Sequence, residues 1–462
     1  MTAPKNSKIA VIGGGLAGLS AACALADAGM RVTLFERRPY LGGRASSYEH
    51  PGTNETVDNC QHVLLGCCTN LIDFYRRLGV ENKIRWFDTL NFIEPGGRLS
   101  RLGPSFLPAP FHSTPSFMRA KFLSIGDKDA IARGLLALMP GLPKETEETF
   151  LSWLERHGQT PRAIQRFWEP VLVSALNESL DRMSVHYAAQ VFRESFLKSA
   201  AAGRMGVPSV PLSELYGVAG DYIRKRGGEV LLRSSVESLR SAPDGLQLTV
   251  AGRGVLPFDY AVSAVPFDVL GKLLGDQAPD GLSEKLRRFE TSPITGVHFW
   301  FDRKVTDLPH AVLLDRTIQW MFNKSASQGE GGRKQEAGSY LELVVSSSKT
   351  LVERSKQEVL DLAFAELQEF FPAIAEAKVL KSTVIKEIKA TYSALPMSDE
   401  YRPHAVTAWP HLFLAGDWTA TGWPATMEGA VRSGYKAADA LLGSRVNLKD
   451  DLPASGLMRI FG

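Results

Sequence analysis

Gly13, Gly15 and Gly18 stand in the order G-x-G-x-x-G at the end of the apolar run at residues 9–13 (IAVIG), and Glu36 closes a second apolar run, RVTLF. Each position has a chemical reason. Gly13 lets the chain turn sharply out of a strand, Gly15 leaves no side chain in the way of a pyrophosphate, and Gly18 lets a helix lie close to the sheet. The unpaired N–H groups that open that helix, from Leu16 and Ala17 onward, face anionic charge. Glu36 lies about 20 residues beyond the glycines, where an acid accepts two hydrogen bonds from a ribose diol and repels a 2′-phosphate. The pattern reads as recognition of an adenosine diphosphate with a free ribose, NAD or FAD in preference to NADP.

Arg37 follows Glu36 directly, and RRPYLGGR then supplies Gly42, Gly43 and Arg44. The glycines permit backbone turns beside phosphate, and a guanidinium pairs with phosphate bidentately. The spacing E-x5-G-G-R resembles the amine oxidase and carotenoid desaturase group of flavoproteins, which moves the expected cofactor from NAD to FAD. The C-terminal stretch LFLAGDWTATGWPATMEGAVRSGYKAA gives an independent signal. It reads as a strand ending at Gly416, then Asp417, then a turn with Pro424, then a helix from about Thr426. Asp417 can accept from ribityl hydroxyls or a pyrophosphate-bound water. The helix start at Thr426, Met427, Glu428 and Ala430 aims N–H groups at a flavin carbonyl, and Gly429 permits close approach.

A third candidate is VDNCQHVLLGCC, residues 57–68, where Asp58 and His62 precede an apolar run. The histidine reads either as a group at a flavin edge or as a satisfied, partly buried side chain. Cys67 and Cys68 read as small apolar core.

Positioning these residues requires a βαβ opening (strand, helix, breaker at Gly29, strand), with later segments returning to the same sheet. A chain of 462 residues is too long for one core. The expected fold class is α/β: a Rossmann-like FAD-binding domain of glutathione-reductase type with a discontinuous α+β substrate domain. The expected flavin segments are 1–99, 211–290 and 396–445, the substrate segments are 100–210 and 291–395, and 446–462 form a tail. Val236 falls where flavoproteins of this type resemble one another in giving backbone contacts to adenine. Segment 100–210 mixes Pro, Phe and basic residues. It reads either as an irregular core segment or as an apolar collar with Arg119 and Lys121 at the level of lipid phosphates. SASQGEGGRKQEAGS reads as a mobile loop; its Gly329, Gly331 and Gly332 have no strand-to-helix context and are not a second nucleotide site.

Composition narrows the functional class. The net charge of +3, from 53 basic and 50 acidic residues, does not point to nucleic acid. All four cysteines precede residue 69, with no C-x-x-C pair and no zinc spacing, so no metal is expected. The lead MTAPKNS has no apolar core, and no apolar run reaches the roughly 18 residues of a spanning helix. These readings place the protein in the cytoplasm, with peripheral contact on the inner face of the cell membrane as an option.

Taken together, GGGLAGLSAA, FERRPYLGGRA, VDNCQHVLLGC, ITGVHFWFDR, QWMFNK and GDWTATGWPATMEGA resemble the squalene-associated, FAD-dependent desaturase family, over nearly the whole chain. The resemblance implies hydroxysqualene dehydroxylase activity of hopanoid biosynthesis, in which a long isoprenoid alcohol loses its hydroxyl and gains a hydride to give squalene. Such an allylic cation requires an apolar, water-excluded tunnel. Candidate linings are Phe92, Phe106, Phe111, Trp168, Phe299, Trp320 and Phe322, and candidate acids are His62, Asp58 and Glu169. The flavin is expected to be non-covalent, because no cysteine follows Cys68, and an external electron donor is required. Two other activities use the same fold: isoprenoid or carotenoid desaturation, and amine oxidation with Lys324 or Lys389 holding a water near the flavin.

Overall fold

The computed structural model describes residues 3–327 and 338–461. The glycines at 329, 331 and 332, and most of the loop expected around them, lie outside the described residues.

The apolar runs that flank the glycine fingerprint form the centre of a five-stranded parallel sheet. Its order is Glu229–Leu231, Arg31–Phe35, Lys8–Ile12, Tyr260–Ser263 and Leu412–Leu414. Strands buried on both faces read as continuous apolar sequence, and Ile9, Ala10 and Val11 are fully buried. The first helix, Leu16–Asp27, is buried from Leu16 through Ala26, which suits its run of small residues. It packs along the C-terminal helix, Met427–Leu442. The contact is tight at Gly434, where a Cβ would stand 2.1 Å from Ser20 Oγ and 2.2 Å from the Ala17 carbonyl oxygen. The two ends of the chain therefore share one layer.

A second, seven-stranded sheet runs Val379–Tyr392, Thr291–Phe301, Ser339–Ser346, Trp320–Asn323, His310–Leu313, Leu90–Ile93 and Leu99–Leu102. All its neighbours are antiparallel except His310–Leu313 with Leu90–Ile93. Leu90–Ile93 and Leu99–Leu102 join it through a turn at Gly96 and Gly97, both at positive φ. The boundary expected at 99 thus falls inside this sheet. The side-chain period of two divides its faces. Phe299, Met321, Leu341 and Leu343 pack beneath the helix Lys356–Phe370, whereas Phe322 and Val344 pack on the opposite face with Met205 and Val207, and Trp320 joins them. That opposite face looks toward the helical segment 114–197 and encloses a cavity against the first sheet.

Candidate functional site

One cavity of about 470 Å³ runs from the glycine fingerprint to the seven-stranded sheet. Its polar end is lined by Gly13, Gly15, Leu16, Ala17, Glu36, Arg37, Gly42, Gly43, Arg44, Val236, Gly416, Asp417, Thr426, Met427, Glu428 and Ala430. Gly18 does not line it. A Cβ there would meet the Gly13 carbonyl oxygen at 1.9 Å, so its role is to seat the helix.

The residues at this end fit an adenine dinucleotide. Gly13 takes φ +107°, which only glycine adopts without strain. A Cβ on Gly15 would meet no protein atom closer than 3.7 Å, so protein packing does not require this glycine, and the space before it is part of the cavity. No side chain caps the first helix and no acid occupies its first turn, which leaves its N–H groups for an anion. Glu36 is buried and oriented: its two carboxylate oxygens accept from the N–H groups of Gly14 and Arg38, each at 2.7 Å. At the far side, Thr426 Oγ1 caps the C-terminal helix by accepting from the Gly429 N–H at 3.1 Å. Arg44 links the chain ends, donating to Asp417 Oδ1 at 2.6 Å and to the Ala390 carbonyl at 2.9 Å. Glu428 is turned into the core, where its carboxylate accepts from the N–H groups of Asn70 and Leu71 and from Arg432 Nε. Its side chain caps the helix Thr69–Leu78, so only the backbone of Glu428 is placed for a cofactor.

The other end is apolar. Phe92, Trp320 and Phe322 line it, with Trp320 stacked on Phe322 at 5.5 Å. Trp320 Nε1 is satisfied by Ser174 Oγ at 2.6 Å. The remaining tunnel candidates lie elsewhere. Phe106 and Phe111 are on the surface, at 95% and 43% exposure. Trp168 is fully buried among Phe150, Phe167 and Phe192, and donates to Gln159 Oε1. Phe299 lies on the helix-covered face of the sheet. Strand alternation excludes Phe299, and aromatic clustering within the helical layer claims Trp168.

At the junction of the two ends, Gln61 and His62 line the cavity. The His62 Nδ1–H donates to the Cys60 carbonyl at 2.8 Å, leaving Nε2 as the ring atom that can meet a ligand. Burial pushes the His62 pKa below its ordinary value, an effect only partly offset by the hydrogen bond to Cys60. Behind this wall lies a buried ion cluster that the sequence did not reveal. Lys324 Nζ stands 2.7 Å from Asp58 Oδ2, 2.9 Å from Gln61 Oε1 and 3.3 Å from Glu342 Oε2. Gln61 Nε2 in turn donates to the His62 carbonyl at 2.9 Å. Burial alone would raise the Asp58 carboxyl, but Lys324, Ser47 and the Leu212 N–H together hold it below the usual range. Glu342 is pushed up to about 7 by burial, against the pull of Lys324.

Asp58 therefore does not line the cavity and works as an internal counter-ion. Glu169 is solvent-exposed on the helix Glu169–Leu176 and is also absent from the lining. Of the three acid candidates, only His62 borders the cavity. Lys324 is committed to its carboxylates, and Lys389 pairs with Asp268 at 2.6 Å near the surface. Lys324 opens the short helix Lys324–Ser327 directly after the strand Trp320–Asn323. Its partner on the neighbouring strand, Glu342, becomes evident only from the strand register. Among the described residues no group of His, Cys, Asp and Glu is arranged to hold a metal.

Residues 16–442 match the model of the flavin containing amine oxidoreductases. The chain belongs to this family. The match takes in both sheets except the strand Lys8–Ile12, which precedes it together with Gly13 and Gly15, and FAD is the cofactor. Among curated proteins the chain is similar to the 15-cis-phytoene desaturase of Synechococcus elongatus, at 28% identity over 96% of this chain and 97% of that one. It is also similar to the zeta-carotene desaturase of Synechocystis sp., at 26% identity over 97% of this chain and 100% of that one. Solved structures share the fold at lower identity. An oxidoreductase from Methanosarcina mazei gives a TM-score of 0.72 at 17% identity, over 92% of this chain and 98% of that one. Cyclohexylamine oxidase from Brevibacterium oxydans gives 0.69 at 16%, over 95% and 99%.

Proposed function

We propose that this FAD-dependent oxidoreductase acts on a long-chain isoprenoid and that its reaction is the reductive removal of the hydroxyl of hydroxysqualene to give squalene. The observation that carries this reading is a continuous cavity, polar at the dinucleotide end and apolar toward the seven-stranded sheet, with a titratable ring, His62, at the junction. Gly15, the N-terminus of the first helix, Glu36, Arg44, Asp417 and the N-terminus of the C-terminal helix would hold the cofactor non-covalently. Bound FAD exchanges a hydride with substrate carbon. Phe92, Trp320 and Phe322 supply the apolar wall that keeps water from an allylic cation. Leaving as water, the substrate hydroxyl takes up one proton while its carbon gains the hydride. His62 Nε2 is the chain's group for orienting that hydroxyl and passing the proton. An external donor must supply the electrons.

A second reading, desaturation of an isoprenoid hydrocarbon, is favoured by the named relatives and by the neutral state that burial imposes on His62. Here substrate loses a hydride, and His62 accepts the proton from the neighbouring carbon. The amine-oxidase reading lacks its lysine, since Lys324 is committed to Asp58, Gln61 and Glu342.

pH separates the two isoprenoid readings. An acid role for His62 predicts kcat falling as pH rises through a pKa below the ordinary 6.5, whereas a base role predicts kcat rising through that pKa to a plateau. The deciding experiment is anaerobic incubation of photoreduced enzyme with hydroxysqualene and of oxidised enzyme with phytoene, with products read by mass. Squalene from the first incubation supports the proposal. A dehydrogenated product from the second, with no squalene from the first, replaces it with the desaturase reading.

A further inference from the structure

The three most exposed large apolar side chains among the described residues, Phe106 at 95%, Ile125 at 82% and Ile460 at 75%, come from distant parts of the sequence. The fold gathers their segments on one surface. The Leu457 N–H donates to the Ala109 carbonyl at 2.9 Å, which holds the C-terminal turn Gly456–Ile460 against the loop that carries Phe106. Arg193 donates to the carbonyl oxygens of both Met139 and Phe461, which ties that turn to the end of the helix Ile125–Leu138. At the start of the same helix, Lys128 Nζ donates to the Met118 carbonyl at 2.7 Å, and the Met118 side chain is itself 53% exposed.

The charge on this surface that no ion pair offsets is basic. No acidic residue occurs between Glu94 and Asp127, while Arg101, Arg119 and Lys121 are exposed there, and exposed Arg459 lies on the C-terminal turn. Among the described residues none of these four takes part in an ion pair, and Asp129, the nearest exposed acid on the helix, pairs with Arg133 at 3.2 Å. Arg193, which ties this surface together, stands in the chain between two residues that line the cavity, Val191 and Glu194.

We infer that this surface docks on an anionic lipid bilayer, with Phe106, Ile125 and Ile460 entering the headgroup boundary and Arg119, Lys121, Arg101 and Arg459 meeting lipid phosphates. Scattered single apolar residues are ordinary on a protein surface, but a gathered set accompanied by basic residues without ion-pair partners has the chemistry of an interfacial anchor. Among the described residues no helix is long and apolar enough to cross a membrane, which fits contact from one side. Docking deepens the isoprenoid reading by bringing the cavity wall to the phase where such a substrate dissolves. It rests on that reading for its purpose only, since binding is measured without turnover.

The test is cosedimentation of the FAD-loaded enzyme with sucrose-loaded vesicles of phosphatidylcholine, with and without phosphatidylglycerol. Binding is expected to the phosphatidylglycerol vesicles and to weaken with salt. Arg119→Glu with Lys121→Glu is expected to weaken it by about tenfold or more. Ile125→Ser with Ile460→Ser is expected to weaken it as well, with FAD content and turnover of detergent-dispersed substrate unchanged in both variants. Equal binding to both vesicle types, no binding to either, or variants that bind like the parent would overturn the proposal. So would a dimer in sedimentation velocity that Ile460→Ser dissociates, because a second copy would then be the occupant. Vesicle binding without turnover of any isoprenoid leaves the docking surface standing and removes the substrate reading.

Discussion

At the scale of single residues, Glu342 and Lys324 show how one buried charge constrains the cavity wall. Lys324 faces two carboxylates, and Asp58 takes the better geometry, with further hydrogen bonds from Ser47 and the Leu212 N–H. Glu342 is left with a pKa near 7 because burial outweighs its share of Lys324. Below about pH 4.5, the ordinary glutamate value, Glu342 is protonated in folded and unfolded chains alike. Between there and about 7 the unfolded chain ionises first, so the folded chain binds more protons and stability falls as pH rises. Glu342→Gln cannot ionise and should remove that decline. The variant is expected to gain on the order of 3 kcal/mol at most over the parent at pH 8 and nothing at pH 4. Urea unfolding midpoints at the two values check this, and an identical pH slope in variant and parent would refute it. For His62→Ala the expectation is retained FAD with turnover down by about 100-fold or more, read by flavin absorbance and product yield. The place of Glu36 on the cavity was legible in the sequence because it follows from local spacing, whereas its contacts with the Gly14 and Arg38 N–H groups were not. The cluster of Asp58, Lys324 and Glu342 was not legible either, because Asp58 stands 266 residues from Lys324 and Glu342 is brought beside it only by strand register.

At the scale of elements, the close approach of the first and last helices holds both their N-termini on the same cavity. Gly434 permits that approach, and Gly434→Ala would drive a methyl group against Ser20 Oγ and the Ala17 carbonyl. Backbone cannot yield as a flexible side chain does, so a loss of about 1–3 kcal/mol is expected, together with weaker FAD retention. Gly217→Ala is the matched control. It lies in the helix Leu212–Arg224 with nothing within 4 Å of its Cβ, and should be neutral or stabilising by about 0.4–1 kcal/mol. Thermal midpoints and flavin content of the two variants decide the point; equal behaviour would remove the packing argument. The first helix could be read from the fingerprint glycines and the breaker at Gly29, and the last from the strand, turn and Pro424 before it. The tunnel was harder, because which aromatic faces the cavity depends on strand phase. Trp320 and Phe322 fall on the cavity side, and Phe299 falls on the other face two strands away. Sequence alternation marks two faces but does not say which one a helix will cover.

For the molecule as a whole, the decisive feature is that neither sheet is contiguous in sequence. The chain leaves the parallel sheet after residue 35, returns from the seven-stranded sheet after 102, leaves again after 263 and returns after 392. Each sheet is closed by strands delivered from the other side of a crossing, and Arg44 with Asp417 and Ala390 ties the crossings together beside the cavity. Separate unfolding of either sheet would have to break every crossing at once, so the two should melt together. A ligand held by both chain ends at that junction then stabilises the entire chain, by roughly 2.7 kcal/mol when free FAD is at 100 times its Kd. Added FAD is therefore expected to shift one thermal transition upward without splitting it, as read by far-ultraviolet circular dichroism and flavin fluorescence together. Acid precipitation should leave the yellow colour in the supernatant: Cys60 and Cys68 line the cavity, but burial pushes the Cys60 thiol up, and the hydrogen bond to Cys67 together with burial does the same for Cys68, so neither is an activated thiolate. Two transitions, with only the earlier one responding to FAD, would mean that the flavin sheet folds alone and that the crossings carry little of the stability.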